Sequence, residues 1–421
     1  MKAYEHSVLL DESKCTGCTT CIRHCPTEAI RIKNGKAVIQ SDRCIDCGEC
    51  IRHCSHLAKK AISDKLSDMD GFKWKIALPA PTLYGQFDNL DDIDYVLNGL
   101  LKIGFDEVYE VSKAAELVSA YTRVYLQTEG IKKPAISSAC PVIMRIIGLR
   151  FPSLQEHVIH MLPPMEIAAK LAKERALEKH PELSIEDIGV CFITPCPAKV
   201  SYVKNGFAGY KSQVDKVVSI SDVYFPLIGV MNKNSYLESL SETGKIGIGW
   251  ARSGGEATAI FTEGYLAADG IENVIHVLDQ IENGNISPLE FIELNACAGG
   301  CVGGVLTMQN PFIAKARLLS LRRYMPVTQN QVSFGQSYIP ESFLFEEMPE
   351  YDSITRLGGN IAESMRMMAD IQNIKSTLPG TDCGACGAPT CRAFAEDIVK
   401  NTACLDDCPI LKIKAASDSK E

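Results

Sequence analysis

The sequence lacks any apolar run long enough to cross a membrane. No stretch approaches about 18 consecutive apolar residues, and residues 1–6 do not open a signal peptide. An excess of positive charge is also missing: 43 Lys and Arg face 52 Asp and Glu, for a formal net charge of −9. These absences argue against a membrane protein and against a nucleic-acid partner, and they predict a soluble cytoplasmic protein.

Cysteine, by contrast, is plentiful, yet its pattern does not favour disulfide bonds. The 18 cysteines of the 421 residues cluster at the spacing of metal ligands, in a chain expected to be intracellular. The length exceeds one ordinary domain, and 46% hydrophobic residues can build a sizeable core. Three cysteine groups predict three domains, at residues 1–70, 71–375 and 376–421.

The first cysteine group is an internal repeat with a period of 29 residues and the spacing C-x2-C-x2-C-x3-C in each copy. It resembles a bacterial two-cluster ferredoxin, in which the fourth cysteine of each run ligates the other cluster. The resemblance implies an α+β domain with two 4Fe-4S clusters, and zinc modules rarely interleave two such runs. One cluster would take Cys15, Cys18, Cys21 and Cys54, and the other Cys44, Cys47, Cys50 and Cys25.

The middle of the chain alternates strand and helix patterns, which predicts an α/β fold. Strands are expected at 75–78, 134–137, 188–193, 246–249 and 291–294, and helices at 90–101, 114–128, 164–178 and 354–375. The loops that follow four of these strands contain candidate functional residues. Such loops are where α/β folds build their sites. The loops contain Ala80-Pro81, Ser138-Ala139-Cys140, Thr194-Pro195-Cys196 and Cys297 to Cys301.

The last of these loops is the strongest metal signal. Cys297 and Cys301 lie among glycines and alanines, and glycine lets the backbone approach a bulky inorganic group. Together with Cys140 and Cys196 they provide the four thiolates that a further cubane needs.

Residues 75 to about 330 resemble the catalytic domain of iron-only (FeFe) hydrogenases. The family's three signatures recur in order, at residues 137–141, 194–199 and 295–305, and residues 253–255 resemble a further glycine turn of that domain. The resemblance implies an H-cluster domain. The H-cluster is the cofactor of that domain: a cubane is joined through one cysteine to a two-iron site with CO, cyanide and a bridging azadithiolate.

By position in the signatures, Cys301 would bridge to the two-iron site. Cys140, Cys196 and Cys297 would complete the cubane. Lys199 would hold a cyanide, a role that suits a compact ammonium donor in a dry pocket. The pocket would be lined by Ala80, Pro81 and Ser138.

The third cysteine group has the spacing C-x2-C-x4-C-x16-C. It resembles a small four-iron module of anaerobic electron-transfer and corrinoid proteins, which implies Cys383, Cys386, Cys391 and Cys408 as ligands. Cys404 competes with Cys408, which is favoured because a proline follows it; zinc is the alternative metal. Cys191, inside an apolar strand, is expected to be a small core residue.

Departures from the family bear on turnover. The first signature normally has two adjacent cysteines, one of which relays protons; here that position is Ala139, which has no exchangeable proton. Thr194 and Asn295 replace methionines and make the pocket more polar. Loss of a positioned relay could slow turnover by about 10²–10⁴-fold.

This pattern resembles the sensory FeFe hydrogenases that lack a PAS domain. It implies slow turnover of H2 and protons, with electrons passing through three further 4Fe-4S clusters to ferredoxin or a signalling kinase or phosphatase. Maturation proteins, an anaerobic host and no nucleic acid or membrane partner are expected, and a homodimer is left open. Two alternatives remain: a low-flux, ferredoxin-linked catalytic hydrogenase, and a Narf-like iron–sulfur assembly protein without the two-iron site.

Overall fold

The two units of the structure do not follow the order of the sequence. This computed structural model describes residues 4–207, 209–231, 237–332, 338–349 and 357–418. One compact unit combines Met1–Ala61 with Tyr351–Glu421, and the other is Ile62–Glu350. The first and third cysteine groups therefore share a unit, while the three domain limits drawn from the sequence remain a prediction.

The N-terminal part of the first unit repeats one pattern twice, as the cysteine repeat predicts. Strand β1 pairs antiparallel with β4, and β2 pairs antiparallel with β3. Each half also has one short helix that carries the third cysteine of its run. The elements are β1 (Val8–Leu10), α1 (Thr20–Arg23), β2 (Ile30–Lys33), β3 (Lys36–Ile39), α2 (Glu49–Arg52) and β4 (Lys59–Ala61).

The second unit contains two parallel sheets with helices between their strands, which confirms the α/β class. The strands are β5 (Trp74–Pro79), β6 (Glu107–Val108), β7 (Ala135–Ile136), β8 (Ile188–Thr194), β9 (Lys216–Ser219), β10 (Tyr265–Asp269) and β11 (Phe291–Asn295). One sheet has the order β6-β5-β8-β9, and the other has the order β10-β11-β7. The helices are α3 (Asp94–Lys102), α4 (Val111–Leu126), α5 (Pro141–Arg150), α6 (Pro164–Lys179), α7 (Pro197–Asn205), α8 (Ile220–Val230), α9 (Lys245–Gly249), α10 (Gly255–Ala259), α11 (Ile271–Glu282) and α12 (Pro311–Leu321).

Strand β8 shows why these runs form a parallel sheet. All seven of its residues are buried, as expected for an apolar strand covered on both faces. Cys191 is fully buried in it and packs in the core with Leu83 and Leu97. This is the environment expected for a cysteine that acts as a small hydrophobic residue.

The strand predicted at 246–249 is wrong, because these residues form helix α9. The carboxylate of Glu116, on α4, accepts hydrogen bonds from the N–H groups of Gly244 and Gly247 at 2.8 and 3.3 Å. A buried acid thus satisfies backbone donors at the start of the helix. A Cβ at Gly247 would lie 2.2 Å from the Ser112 carbonyl oxygen, so the alternating glycines serve close helix packing.

The C-terminal part of the first unit is helical, with α13 (Ile361–Thr377), α14 (Cys391–Val399) and α15 (Pro409–Asp418). Residues 354–356 of the helix predicted at 354–375 lie outside the described residues. The helix begins at Ile361 because the Asn360 side chain caps it, accepting from the Glu363 N–H at 2.9 Å. Among the helices that the structure describes, none has both the length and the apolarity to cross a membrane.

Candidate metal centres

Four strands of the second unit, two from each sheet, end in the loops that the sequence marks for chemistry. β5 ends at Pro79, β7 at Ile136, β8 at Thr194 and β11 at Asn295. Since the strands of each sheet are parallel, their carboxyl ends lie at the same edge of that sheet.

Two of the cysteines occupy equivalent strand-to-helix turns. Cys140 is the N-cap residue of α5 and Cys196 is the N-cap residue of α7, and each is followed by a proline. Proline suits the first helical position because its missing N–H would have no partner there. Both thiols are therefore held at rigid helix starts.

The loop after β11 packs backbone to backbone on the loop after β8. Gly299 and Gly300 have φ angles of 81° and 93°, which residues with a side chain rarely adopt. A Cβ at Gly304 would lie 2.2 Å from the Pro195 carbonyl oxygen. Glycine is required for this approach, which brings Cys301 to the turn after β8 that carries Cys196.

Three thiols and one ammonium influence each other at these loops. Burial, together with the Cys140 and Cys301 thiols, raises the pKa of Cys196 to about 12 against the opposing charge of Lys199. Burial also raises the pKa of Cys301, with Lys199 opposing and Cys140 adding to the rise. Cys297 lies in the same loop, and all four cysteines are free of disulfides. Such a set of half-buried thiols fits an iron–sulfur group, which would bind them as thiolates.

The predicted pocket residues lie at or just beyond the ends of strands β5 and β8. Ala80 and Pro81 are buried directly after β5. Thr194 is buried at the end of β8, where its hydroxyl accepts from the backbone N–H two residues on, at 3.2 Å. The Lys199 ammonium lies 5.4 Å from the centre of the Phe192 ring.

A pair of buried glutamates, missed by the sequence analysis, adjoins these loops. Glu256 and Glu293 are 5% and 3% exposed. The Ser137 hydroxyl contacts both carboxylate oxygens of Glu256, at 2.7 and 2.8 Å. Burial and the charge of Glu293 raise the pKa of Glu256 well above its usual value, against Ser137 and Lys199. The carboxyl pair can therefore hold a proton that a solvated carboxylate would lose.

Asn295, predicted as a pocket residue, contacts this pair directly. Its side-chain amide donates to Glu293 at 2.7 Å, and the N–H groups of Gly254 and Ala257 donate to the same carboxylate. Burial raises the pKa of Glu293, and these three donors oppose the rise. One sequence signal was available: Glu293 interrupts an apolar strand, where an acid is costly to bury unless it is paired.

Ala139 lies one hydrogen bond from the same network. Its N–H donates to the Ser137 hydroxyl oxygen at 3.2 Å. The Ser138 hydroxyl, in contrast, donates to the Met161 carbonyl at 2.5 Å. The side chain of Ser137 therefore connects the Ala139 backbone to the carboxyl pair.

The first unit brings together the interleaved cysteine sets of the repeat. The thiols of the second set act on one another: burial, followed by the charge of Cys25, raises the pKa of Cys47 well above its usual value, and Cys44 and Cys50 add to the rise. The fourth cysteine of the first run therefore lies with the second run. The cavity of the first set is lined by Cys15, Cys18, Cys21 and Cys54.

The C-terminal group surrounds a separate cavity. Cys404 is exposed and is not among the residues that line this cavity. Cys408, which is 6% exposed, is among them. The lining cysteines are Cys383, Cys386, Cys391 and Cys408.

Two buried ion pairs join the N-terminal and C-terminal parts of the first unit. Arg31 Nε lies 2.5 Å from Asp397 Oδ2, and a second guanidinium nitrogen donates to the other carboxylate oxygen at 3.2 Å. Arg43 pairs with Glu396, and both side chains are less than a tenth exposed. A backbone hydrogen bond from β2 to the Gly387 carbonyl, at 2.8 Å, supports the same contact.

Replacing Arg31 with methionine should lower the free energy of unfolding of this unit by about 3–5 kcal/mol, because Asp397 would stay buried without its cation. Urea denaturation of the full chain would measure the loss. Lys400→Met is the matched control: the Lys400 side chain is 35% exposed and contacts Glu396 at 2.6 Å, and Glu396 would keep Arg43, so removal should cost less than about 1 kcal/mol. Equal losses in the two variants would contradict a role for the buried pair.

Family profiles match three parts of the chain. The profile described as iron only hydrogenase large subunit, C-terminal domain, matches residues 73–263 and 256–305, which is more than half of the sequence. A 4Fe-4S dicluster domain profile matches residues 7–55. An Fe-S cluster profile matches residues 378–410.

Three curated relatives match to different extents. The periplasmic Fe hydrogenase large subunit of Nitratidesulfovibrio vulgaris is 25% identical over 362 residues, covering 71% of this chain and 86% of that protein. Uncharacterized protein MJ0119 of Methanocaldococcus jannaschii is 46% identical over 44 residues, 10% of this chain and 20% of that protein. Ferredoxin-2 of Desulfomicrobium norvegicum is 48% identical over 33 residues, 8% of this chain and 56% of that protein. The chain thus spans less than two thirds of the length of the last two.

Solved structures with a similar chain path include HydA1, an FeFe hydrogenase of Chlamydomonas reinhardtii. The identity is 16%, the match covers 61% of this chain and 86% of that one, and the TM-score is 0.48. HydA(deltaEFG), a structure of stepwise H-cluster assembly, matches with 16% identity, 60% and 84% coverage and a TM-score of 0.48.

Proposed function

The chain belongs to the iron-only hydrogenase large-subunit family, and from this premise we propose that it is a sensory FeFe hydrogenase without a PAS domain that turns over H2 slowly. One observation carries the proposal. The thiols expected to bind iron gather at the strand ends. The position expected to relay protons is occupied by Ala139, whose methyl group has no exchangeable proton. The chain would be a hydrogenase-type oxidoreductase of low activity.

The residues at these strand ends would hold the H-cluster. Cys301 would bridge to the two-iron site, and Lys199 would donate to a cyanide, since a compact ammonium suits a desolvated anion. When bound, the group would supply the reversible conversion of H2 into protons and electrons. The cubane would be held by Cys140, Cys196 and Cys297, and the pocket would be lined by Ala80, Pro81 and Ser138.

Protons would move through Ser137, Glu256 and Glu293. Because the pKa of Glu256 is raised, this carboxyl keeps its proton to a higher pH than a solvated carboxylate does, and a positioned carboxyl can serve as a general acid or base. The Ser137 hydroxyl can donate and accept, so it can pass a proton to and from Glu256. Water in a pocket made polar by Thr194 and Asn295 would complete this route, which lacks the usual thiol.

Electrons would pass through three further 4Fe-4S clusters. Two would be held by the ferredoxin-like repeat and one by the C-terminal cysteines, leading to ferredoxin or to a signalling kinase or phosphatase. Maturation proteins would supply the two-iron site, and a homodimer is left open. The net charge of −9 argues against a nucleic-acid partner. A cytoplasmic location remains a prediction, since the Nitratidesulfovibrio vulgaris relative is named as periplasmic.

Infrared spectroscopy after maturation with the two-iron site tests this proposal, combined with an H2 oxidation assay. We expect bands from CO and cyanide, together with a rate at least about 10²-fold below that of ordinary family members. A rate equal to theirs would favour the catalytic, ferredoxin-linked hydrogenase. Iron-loaded protein without these bands would favour the Narf-like assembly protein instead, a reading that the retained Lys199 already opposes.

Replacing Ala139 with cysteine should raise H2 oxidation by about 10²-fold or more, because a thiol at this residue, whose backbone N–H contacts Ser137, restores an exchangeable proton at the relay position. The rate would be measured on matured protein with an artificial electron acceptor. Ala139→Val adds bulk without a proton and should not raise the rate. If the cysteine variant is no faster than the parent, the barrier lies elsewhere on the proton route.

A further inference from the structure

The repeat of the first unit differs in charge at one buried position. With a period of 29 residues, Ile30 of the first copy is equivalent to Lys59 of the second. Their exposed fractions are 2% and 3%. In each copy the N–H of the preceding residue donates to the thiol of the fourth cysteine, at 3.2 and 3.3 Å. The two copies therefore share a local backbone, but only one buries a cation.

The ammonium of Lys59 has no hydrogen-bond partner among the residues that the structure describes. An unpartnered buried cation is costly, so its position calls for an anion. Lys59 lines the cavity shared by the first cysteine set. The lysine thus faces thiols that would be thiolates once iron is bound.

We propose that Lys59 is a built-in counter-charge to the first-set cluster, and that it makes this cluster the more easily reduced of the two ferredoxin-like clusters. The proposal rests on the cluster ligands of the proposed function, but not on H2 turnover. A nearby positive charge stabilises the more negative, reduced cluster, and local charge and hydrogen bonds to sulfur are known to tune such potentials. Ile30 supplies no charge in the other copy. The first-set cluster is the one expected in the cavity lined by Cys15, Cys18, Cys21 and Cys54, which would be its ligands.

The surroundings of this cluster indicate which carrier an electron held on it would lie beside. The C-terminal cysteine loop lies on the turn that carries part of the first set: a Cβ at Gly384 would lie 3.2 Å from Ile22 and 3.7 Å from Thr19. Arg23 also donates to the Cys383 carbonyl oxygen at 2.9 Å. An electron held on the first-set cluster would therefore lie next to the C-terminal module, the next carrier in the route.

A redox titration of Lys59→Met, followed by electron paramagnetic resonance, tests the proposal. The full chain would carry its 4Fe-4S clusters but not the two-iron site, so the result is independent of H2 activity. We expect the reduction equilibrium constant of the higher-potential ferredoxin-like cluster to fall about tenfold or more, which is about 59 mV for one electron. The other cluster should shift less.

Two further variants control for charge and for position. Lys59→Arg keeps the charge and should keep the potential, and Lys60→Met removes the exposed neighbouring charge and should leave both potentials unchanged. Unchanged potentials in Lys59→Met at full iron content would overturn the proposal, and so would equal shifts of both clusters. If Lys59→Met binds less iron, the neutral variant Lys59→Gln is titrated instead. The reduction potential of its first-set cluster must then fall for the proposal to stand.

Discussion

Replacing Glu256 with glutamine should lower both H2 oxidation and proton reduction by about 10²–10⁴-fold, the usual contribution of a positioned acid or base. Glutamine preserves the shape and can still hydrogen-bond Ser137, but it cannot release a proton. The infrared bands of the two-iron site should persist, because Glu256 is not among the expected iron ligands. Rates and spectra would be measured on the same matured preparation.

The pH dependence follows from the direction of the pKa shift. Because burial and Glu293 raise the pKa of Glu256, its base form becomes populated only as the pH rises. H2 oxidation, which needs a proton acceptor, should therefore accelerate with rising pH, and proton reduction should accelerate with falling pH. Both trends should flatten in Glu256→Gln.

Glu166 offers a matched control for this variant. It is another buried glutamate of the second unit, 1% exposed, and Ser212 donates to it at 2.5 Å. Burial raises the pKa of Glu166 as it does that of Glu256. Glu166→Gln should change stability but not turnover per loaded cofactor. An equal loss of rate in both variants would show that the effect of Glu256→Gln is structural and not proton transfer.

Replacing Cys301 with alanine should abolish H2 turnover altogether. The variant would lack the thiolate proposed to bridge to the two-iron site, so the CO and cyanide bands should be absent after maturation. The clusters of the first unit should still show their paramagnetic resonance signals, because none of their ligands is changed. Infrared spectra, iron analysis and an H2 assay of one preparation would measure the three effects.

Cys191→Ala is the control for loss of a buried thiol in the same unit. Cys191 is fully buried in β8, where burial raises its pKa strongly, and it packs in the apolar core with Leu83 and Leu97. Its replacement should lower the free energy of unfolding, as the truncation of a core side chain does, and leave the infrared bands in place. Bands that survive in Cys301→Ala would refute the assignment of Cys301 as the bridge.

Much of the second unit was predictable because its strands are unambiguous. Residues 188–193 form an unbroken apolar run that ends at Thr194-Pro195-Cys196, and β8 covers Ile188–Thr194. Helix limits were less accurate, since they depend on caps: α13 begins at Ile361, where Asn360 supplies the cap. The Ile-Gly alternation at 246–249 was misleading, because a buried carboxylate from α4 stabilises a helix there.

The carboxyl pair of the site could not be derived from local pattern. Ser137 and Glu256 are 119 residues apart in sequence, and Glu293 comes from another strand. Their proximity depends on the tertiary fold, which brings the end of β7, strand β11 and the start of α10 to one place. The same is true of Arg31 and Asp397, which are 366 residues apart and meet in the first unit.

The sequence by itself determined the kind of chemistry, because thiolate ligands and their glycine and proline neighbours must follow fixed local spacing. It therefore indicated the cysteine sets, the repeat and the family from residues a few positions apart. Only the tertiary structure decided which buried charges surround those cysteines. Glu256, Glu293 and Lys59 acquire their meaning from burial and from partners distant in sequence, and no spacing rule encodes either.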